Sequence, residues 1–230
     1  MSSPRTLSTL FALPLAAALG LAACASGPDP GVMDPNHMYA HFNQVGEIQA
    51  ALVAGDVDGT RAPARWLATH RESAFPAAGD EALETMRTEA RVIQGQENLL
   101  EIGRGVGRLG AACGACHEAL DGGPTVRIEQ APASSRNGAL HMQRHAWAVE
   151  RLWEGLFAPS DAAWAAGAGA LAGMPLDFGA NDQASQLGKR VHALSAQARE
   201  AHTAKDRAEV YGQLMETCAL CHGVLGLRLR

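Results

Sequence analysis

The feature that most constrains this chain is a five-residue pattern, Cys-x-x-Cys-His, that occurs twice. It stands at residues 113–117 ("CGACH") and again at residues 218–222 ("CALCH"). A second pattern, His-Met-x-x-His, begins at His37 and again at His141. The offset is 105 residues for the first pattern and 104 for the second, so two separated motifs keep one register. We infer a tandem duplication.

The duplication predicts two similar units. The first covers residues 35–120 and the second residues 136–230, and residues 121–135, rich in Pro, Gly and Ser, connect them. Aromatic residues make up only 5% of the chain, and Ala and Leu far outnumber the β-branched residues, which favours helices over strands. The formal net charge of −5 provides no basic surface, so nucleic acid is not an expected partner.

Apolar residues recur at helical spacing four times in each unit. Short loops between such helices favour antiparallel packing. The fold class predicted is therefore all-α, with two tandem antiparallel four-helix bundles that each carry Cys-x-x-Cys-His on the last helix. The predicted helices cover residues 38–52, 56–71, 83–93 and 99–116, then 142–156, 161–171, 187–198 and 210–221.

The fourth predicted helix contains four glycines within eight residues, Gly103, Gly105, Gly107 and Gly110. Each costs roughly 1 kcal/mol relative to alanine inside a helix. Two interpretations follow. Either the glycines let another helix or a bound group approach the backbone, or this stretch is frayed and partly non-helical.

The first residues predict export from a bacterial cytoplasm. Arg5 precedes an apolar run that ends in "LAAC" at Cys24, and this ending resembles a lipoprotein cleavage box. The resemblance implies that residues 1–23 are a signal peptide, that Cys24 is lipidated, and that residues 24–34 are a tether. Ala25 rather than Asp follows, which in such lipoproteins indicates the outer membrane. An ordinary exported protein, cut near Ala25, is the alternative.

Cys-x-x-Cys-His is the attachment sequence of c-type haem. Two thiols reach the two vinyl groups of one porphyrin, and the adjacent histidine binds its iron from the same side. The sequence therefore predicts two covalent haem c groups, one on Cys113 and Cys116 with His117 as the proximal ligand, and one on Cys218 and Cys221 with His222. The alternatives fit less well. Zinc knuckles lie closer together, a thioredoxin-type pair follows a strand, and local disulfides do not explain the histidines.

A four-helix bundle with this motif on its last helix resembles the cytochrome c prime family. Each half, about 37–120 and 141–224, is similar to one such domain, and the tandem arrangement departs from the usual single-domain form. In that family the first helix faces the open side of the haem, so the resemblance implies that it provides any sixth ligand. We expect His41 and His145 in that role, and Met38 and Met142 are the alternatives. His37 and His141 are expected at the rim, and we assign no role to His70, His192 or His202.

The function expected is that of a one-electron carrier in the periplasm, anchored to a membrane surface through Cys24 and paired with periplasmic or membrane redox proteins. A protein that binds or senses a small gas (NO or CO) at five-coordinate iron is the alternative. An enzyme, such as a haem peroxidase or reductase, is less favoured, because no catalytic constellation is visible beyond the distal histidines.

Overall fold

The computed structural model describes residues 35–71, 75–134, 138–173 and 181–227. These residues contain eight α-helices, two short 3-10 turns and no strand, so the all-α prediction is confirmed. The predicted leader, the tether and Cys24 lie outside the described residues. In chain order the helices are α1 (Pro35–Val53), α2 (Arg61–Thr69), α3 (Asp80–Gly95), α4 (Leu99–Ala119), α5 (Gly138–Phe157), α6 (Asp161–Ala172), α7 (Asp182–Glu200) and α8 (Ala204–Val224).

Local signals explain where several helices begin and end. Gly55 adopts a left-handed φ of +73° after α1, and the Asp56 side chain accepts a hydrogen bond from the Gly59 amide at 2.9 Å. Asn98 caps α4 by accepting from the amides of Leu100 and Glu101. The segment from residue 121 to residue 134 has no helix or strand.

The two helices that carry Cys-x-x-Cys-His, α4 and α8, form the most extensive helix pair among the described residues. A Cβ atom on Gly107 would overlap the carbonyl oxygen of Ala208, and one on Gly103 would overlap that of Gly212. Gly103 and Gly107 therefore allow the backbone of α8 to approach α4 closely, whereas Gly105 and Gly110 make room for the side chains of Ile93 and Trp153. That interpretation is confirmed, and the frayed alternative is wrong, because α4 is continuous from residue 99 to residue 119.

The remaining helices pack around this pair, and the first helix of each half reaches the other half. α1 packs on α2 and α8, whereas α5 packs on α6 and α4. Gln49 of α1 donates from Nε2 to the hydroxyl of Tyr211 in α8 at 3.0 Å. One continuous apolar core runs through both halves, from Ile48 and Leu52 of α1 to Leu214 of α8. Residues of each half therefore help to build the surroundings of the other.

Candidate functional site

The two Cys-x-x-Cys-His motifs occupy the last turns of α4 and α8. In each motif the second cysteine lies three residues after the first and the histidine four residues after it, so all three share one face of the helix. No disulfide joins these cysteines to one another. Burial raises the pKa of the Cys113 thiol to about 12 and that of the Cys218 thiol to about 12, so both thiols are neutral at neutral pH.

The end of α4 opens into a large cavity of about 830 Å³. That volume is within the range of pockets that enclose organic cofactors. The cavity brings together the residues that the sequence predicts to act together in the first half. Its walls come from α1, from the segment around residue 76, from α3, α4, the loop after α4, and α5, and they include Met38, His41, Phe42, Met86, Cys113, His117, Pro124, Trp153 and Phe157.

His117 is held in a defined orientation at the wall of this cavity. Its Nδ1 lies 2.6 Å from the carbonyl oxygen of Phe157. Because a carbonyl can only accept, Nδ1 carries a proton, and in the neutral imidazole this leaves the lone pair on Nε2. Metal-binding histidines usually donate a hydrogen bond from the ring nitrogen that does not bind the metal, as Nδ1 does here. Gly123, with φ of +112°, lies against the ring, where any side chain would overlap it.

The two predicted sixth ligands of the first half, His41 and Met38, both line the same cavity as His117. His41 is only 5% exposed, which is unusual for a histidine. Its ring lies 4.5 Å from that of His37 and 5.8 Å from that of His70, measured between centroids. His41 thus borders the cavity on one side and a cluster of imidazoles on the other.

The second site has the same residue types in more closed surroundings. His222 is 7% exposed, against half-burial for His117. Burial, and then the charges of His141, His222 and His192, lower the pKa of His145 to about 4. His145 of α5 is therefore within reach of the charge of His222 of α8. Within the described residues, Nε2 of His145 and Nδ1 of His222 are both buried without a hydrogen-bond partner.

Met142, the alternative ligand of the second half, differs from Met38. Its side chain is 36% exposed, whereas Met38 is half-buried at the cavity wall. The exposure of Met142 favours His145 over Met142 as a buried ligand in this half. In the first half both candidates remain at the cavity.

Two histidines near these sites were not predicted to have a role. His70 directly follows the last residue of α2 and completes a group with His37 and His41. The charge of His192, in α7, contributes to the lowered pKa of His145. Neither has a counterpart at the repeat offset, so the duplication gave no signal for them. The one available hint was local. Trp66 and His70 are four residues apart, and their rings stack at 4.0 Å with an interplanar angle of 14°.

Comparison with known proteins leaves these observations to stand by themselves. No protein-family model matches the chain, and neither the curated proteins nor the solved structures contain a match. Among the described helices, none combines the length and apolar character needed to cross a membrane.

Proposed function

We propose that the chain is a dihaem c-type cytochrome that carries electrons one at a time. The observation that carries the proposal is the arrangement in the first half. One cavity is lined by the Cys113 thiol, by His117 with its Nδ1 proton held by the Phe157 carbonyl, and by His41 from α1. A thiol, an oriented imidazole and a cofactor-sized space are what covalent haem attachment requires.

The residue types of both motifs fit haem c, and in the first half they also line a cavity of cofactor size. Cys113 and Cys116 would form the two thioether bonds of the first group, and Cys218 and Cys221 those of the second. Haem supplies one-electron exchange between ferrous and ferric iron when it is bound. His117 would offer Nε2 as the proximal ligand because its Nδ1 proton is already engaged. His222, buried at the end of α8, has the matching position in the second half.

The sixth ligands we propose are His41 and His145. His41 is buried and His145 is half-buried, and His145 is held neutral by its surroundings, which leaves a lone pair available to a metal. Within the described residues, Nε2 of His145 is buried without a hydrogen-bond partner, which is costly, and a bond to iron would remove that cost. The tandem repeat is proposed to supply two such bundles in one chain.

For localisation we propose the periplasmic face of the outer membrane, with Cys24 lipidated and residues 24–34 as the tether. The proposed partners are redox proteins of the periplasm or membrane. This part of the proposal depends on the leader sequence alone. Metabolic labelling with a fatty-acid analogue should mark the wild-type protein and leave a Cys24→Ser variant unlabelled.

A gas-binding protein is the second candidate, and one observation favours it. His41 contacts His37 and His70, so it has partners other than iron in the first half. If those partners hold His41, the first iron keeps an open position within a large cavity.

Two measurements test these functions. Haem staining and a pyridine haemochrome assay should give two covalent haems per chain, and finding one or none would refute the proposal. Spectra of the reduced protein with and without carbon monoxide distinguish the candidates. An electron carrier with six-coordinate iron should show slow or absent binding, and rapid binding would favour the gas-binding function. The His145→Ala variant should bind carbon monoxide faster than His202→Ala, a control at an exposed position.

A further inference from the structure

A group of three imidazoles lies beside the first cavity, formed by His37, His41 and His70. The donor nitrogens of the three side chains all lie within 4.8 Å of one another. Three imidazole nitrogens that bind one tetrahedral ion at about 2.0–2.1 Å are about 3.4 Å apart, so modest side-chain rotations would bring these three into range. Among the described residues, no other group of three or more histidine, cysteine or acidic side chains brings its donor atoms this close together.

The local structure places two of the three ligands on one helix and the third directly after the end of another. His37 and His41 are four residues apart on α1 and therefore project from the same face, the spacing that helical metal sites use. His70 follows the last residue of α2, and Arg87 donates to its backbone carbonyl at 3.0 Å, which holds this end of the helix. The ligands thus come from two packed helices and not from one mobile loop.

Trp66 packs against two of the three imidazoles. Its ring stacks on His70 at 4.0 Å and meets the edge of His41 at 5.4 Å, so both rings are held by apolar contact. His41 is buried, whereas His37 and His70 are half-buried, which leaves a route from solvent to the donor atoms. An oriented group of ligands with one open side is the form that a three-histidine metal site takes.

We propose that His37, His41 and His70 bind one divalent transition-metal ion of the zinc type. Three imidazoles suit zinc, copper and nickel, whereas calcium and magnesium require oxygen ligands that this group does not contain. The site does not require haem. It does share His41 with the proposed first haem site, and one imidazole nitrogen cannot bind both metals. Zinc therefore competes with iron for His41.

The second half provides a matched control. His141 and His145 repeat the spacing of His37 and His41, with ring centroids also 4.5 Å apart. His192 approaches His145 from α7 and not from the end of a second helix. The donor atoms of these three residues do not converge into a comparable group. His192→Ala is therefore the control for His70→Ala, and His141→Ala is the control for His37→Ala.

The test measures zinc uptake by the full-length, haem-loaded protein with Zn²⁺ as the probe, by equilibrium dialysis and titration calorimetry. We expect one zinc ion per chain. Loss of an outer partner alone weakens metal binding about 10- to 100-fold, so His70→Ala and His37→Ala should weaken it by more than about 100-fold. His192→Ala and His141→Ala should bind zinc like the wild type, and circular dichroism should show all four variants folded. No zinc uptake, or uptake retained in His70→Ala, would overturn the proposal.

The ferric absorption spectrum during the same titration tests the competition for His41. A low-spin to high-spin shift at about half of the haem, absent in His70→Ala, is the expected result. Zinc uptake with an unchanged spectrum would overturn the competition and the assignment of His41 to iron, and would leave the zinc site supported. The haemochrome count is independent of both, so failure of the dihaem function is distinguishable from failure of the zinc site.

Discussion

The two ends that carry Cys-x-x-Cys-His share a sequence pattern but differ in their surroundings. At the end of α4, His117 is half-buried, bonded to the Phe157 carbonyl, and open to a cavity of about 830 Å³. At the end of α8, His222 is 7% exposed, and its Nδ1 has no hydrogen-bond partner within the described residues. The motif histidines of the two halves, His117 and His222, therefore differ in burial and in hydrogen bonding.

The difference has a structural origin in α5. This helix begins near the second site, where His145 approaches His222, and ends at the first site, where Trp153 and Phe157 form part of the cavity wall. The first site is thus completed by residues of the second half. The repeated sequence pattern determines which residues share a helix face. The neighbours of that face depend on packing between helices, and those helices differ between the two halves.

The largest effect we expect comes from removing Trp153, the residue of the second half that supports the first site. Its ring is 5% exposed and lies 5.6 Å from the rings of both Phe157 and Tyr211. Trp153→Ala should lower the free energy of unfolding by about 3–5 kcal/mol in urea titrations, because it leaves a large cavity in the shared core.

Gln49 is the matched control, since it occupies the position of Trp153 at the repeat offset and is half-buried. Gln49→Ala should cost about 1 kcal/mol or less. The Trp153→Ala variant should also alter the spectrum of the haem proposed at the first site more than that of the haem proposed at the second. Equal changes at both haems would contradict the view that α5 supports the first site selectively.

The next effect concerns the contact between α4 and α8, which both sites share. Gly107→Ala should destabilise the protein by about 1–3 kcal/mol, since the added methyl group overlaps a backbone carbonyl that cannot move aside. Gly169→Ala, in α6, places the same group in open space and should stabilise by about 0.5–1 kcal/mol. Thermal unfolding should show shifts of opposite sign, and equal shifts would show that α4 and α8 are not in close contact.

Helix positions could be predicted from the sequence because burial in a helical bundle leaves a periodic apolar pattern. Even α6, with its weak Ala- and Gly-rich pattern, begins at Asp161 as expected, since Ser160 caps it through the Ala163 amide. The expectation that His41 lies near His117 came from the family resemblance and the repeat, and both side chains line one cavity.

The environment of each site could not be predicted, because it depends on contacts between residues far apart in the chain. The carbonyl that holds His117 is part of the backbone of Phe157, 40 residues away. No side-chain pattern in the sequence can indicate a contact with a backbone group. His70 joins His37 and His41 only because α2 packs on α1. Equally, the glycines of α4 left two interpretations open until Ala208 and Gly212 of α8 were found against them.

A smaller effect concerns the pH dependence of protein stability that His145, at the second site, should produce. The pKa of His145 is lowered to about 4 from an ordinary value of about 6.5, so between these values the unfolded chain binds a proton that the folded chain does not. Stability should therefore fall as pH falls through this window, by at most about 2 kcal/mol between pH 7 and pH 5. Urea titrations should show this loss reduced in His145→Asn. An unchanged pH dependence would show that His145 is not held neutral.

The smallest effect tests the contact by which α1 of the first half reaches α8 of the second. The Tyr211 hydroxyl accepts a hydrogen bond from Gln49 at 3.0 Å, and burial raises the pKa of Tyr211, so the hydroxyl stays neutral throughout the useful pH range. Tyr211→Phe keeps the ring in the core and removes one neutral hydrogen bond, which costs about 1 kcal/mol. Because Gln49 is half-buried, its amide can turn to water and limit this loss. In a double-mutant cycle with Gln49→Ala, a coupling energy near zero would show that this contact does not join the halves, whereas a loss shared between the two variants would confirm that it does.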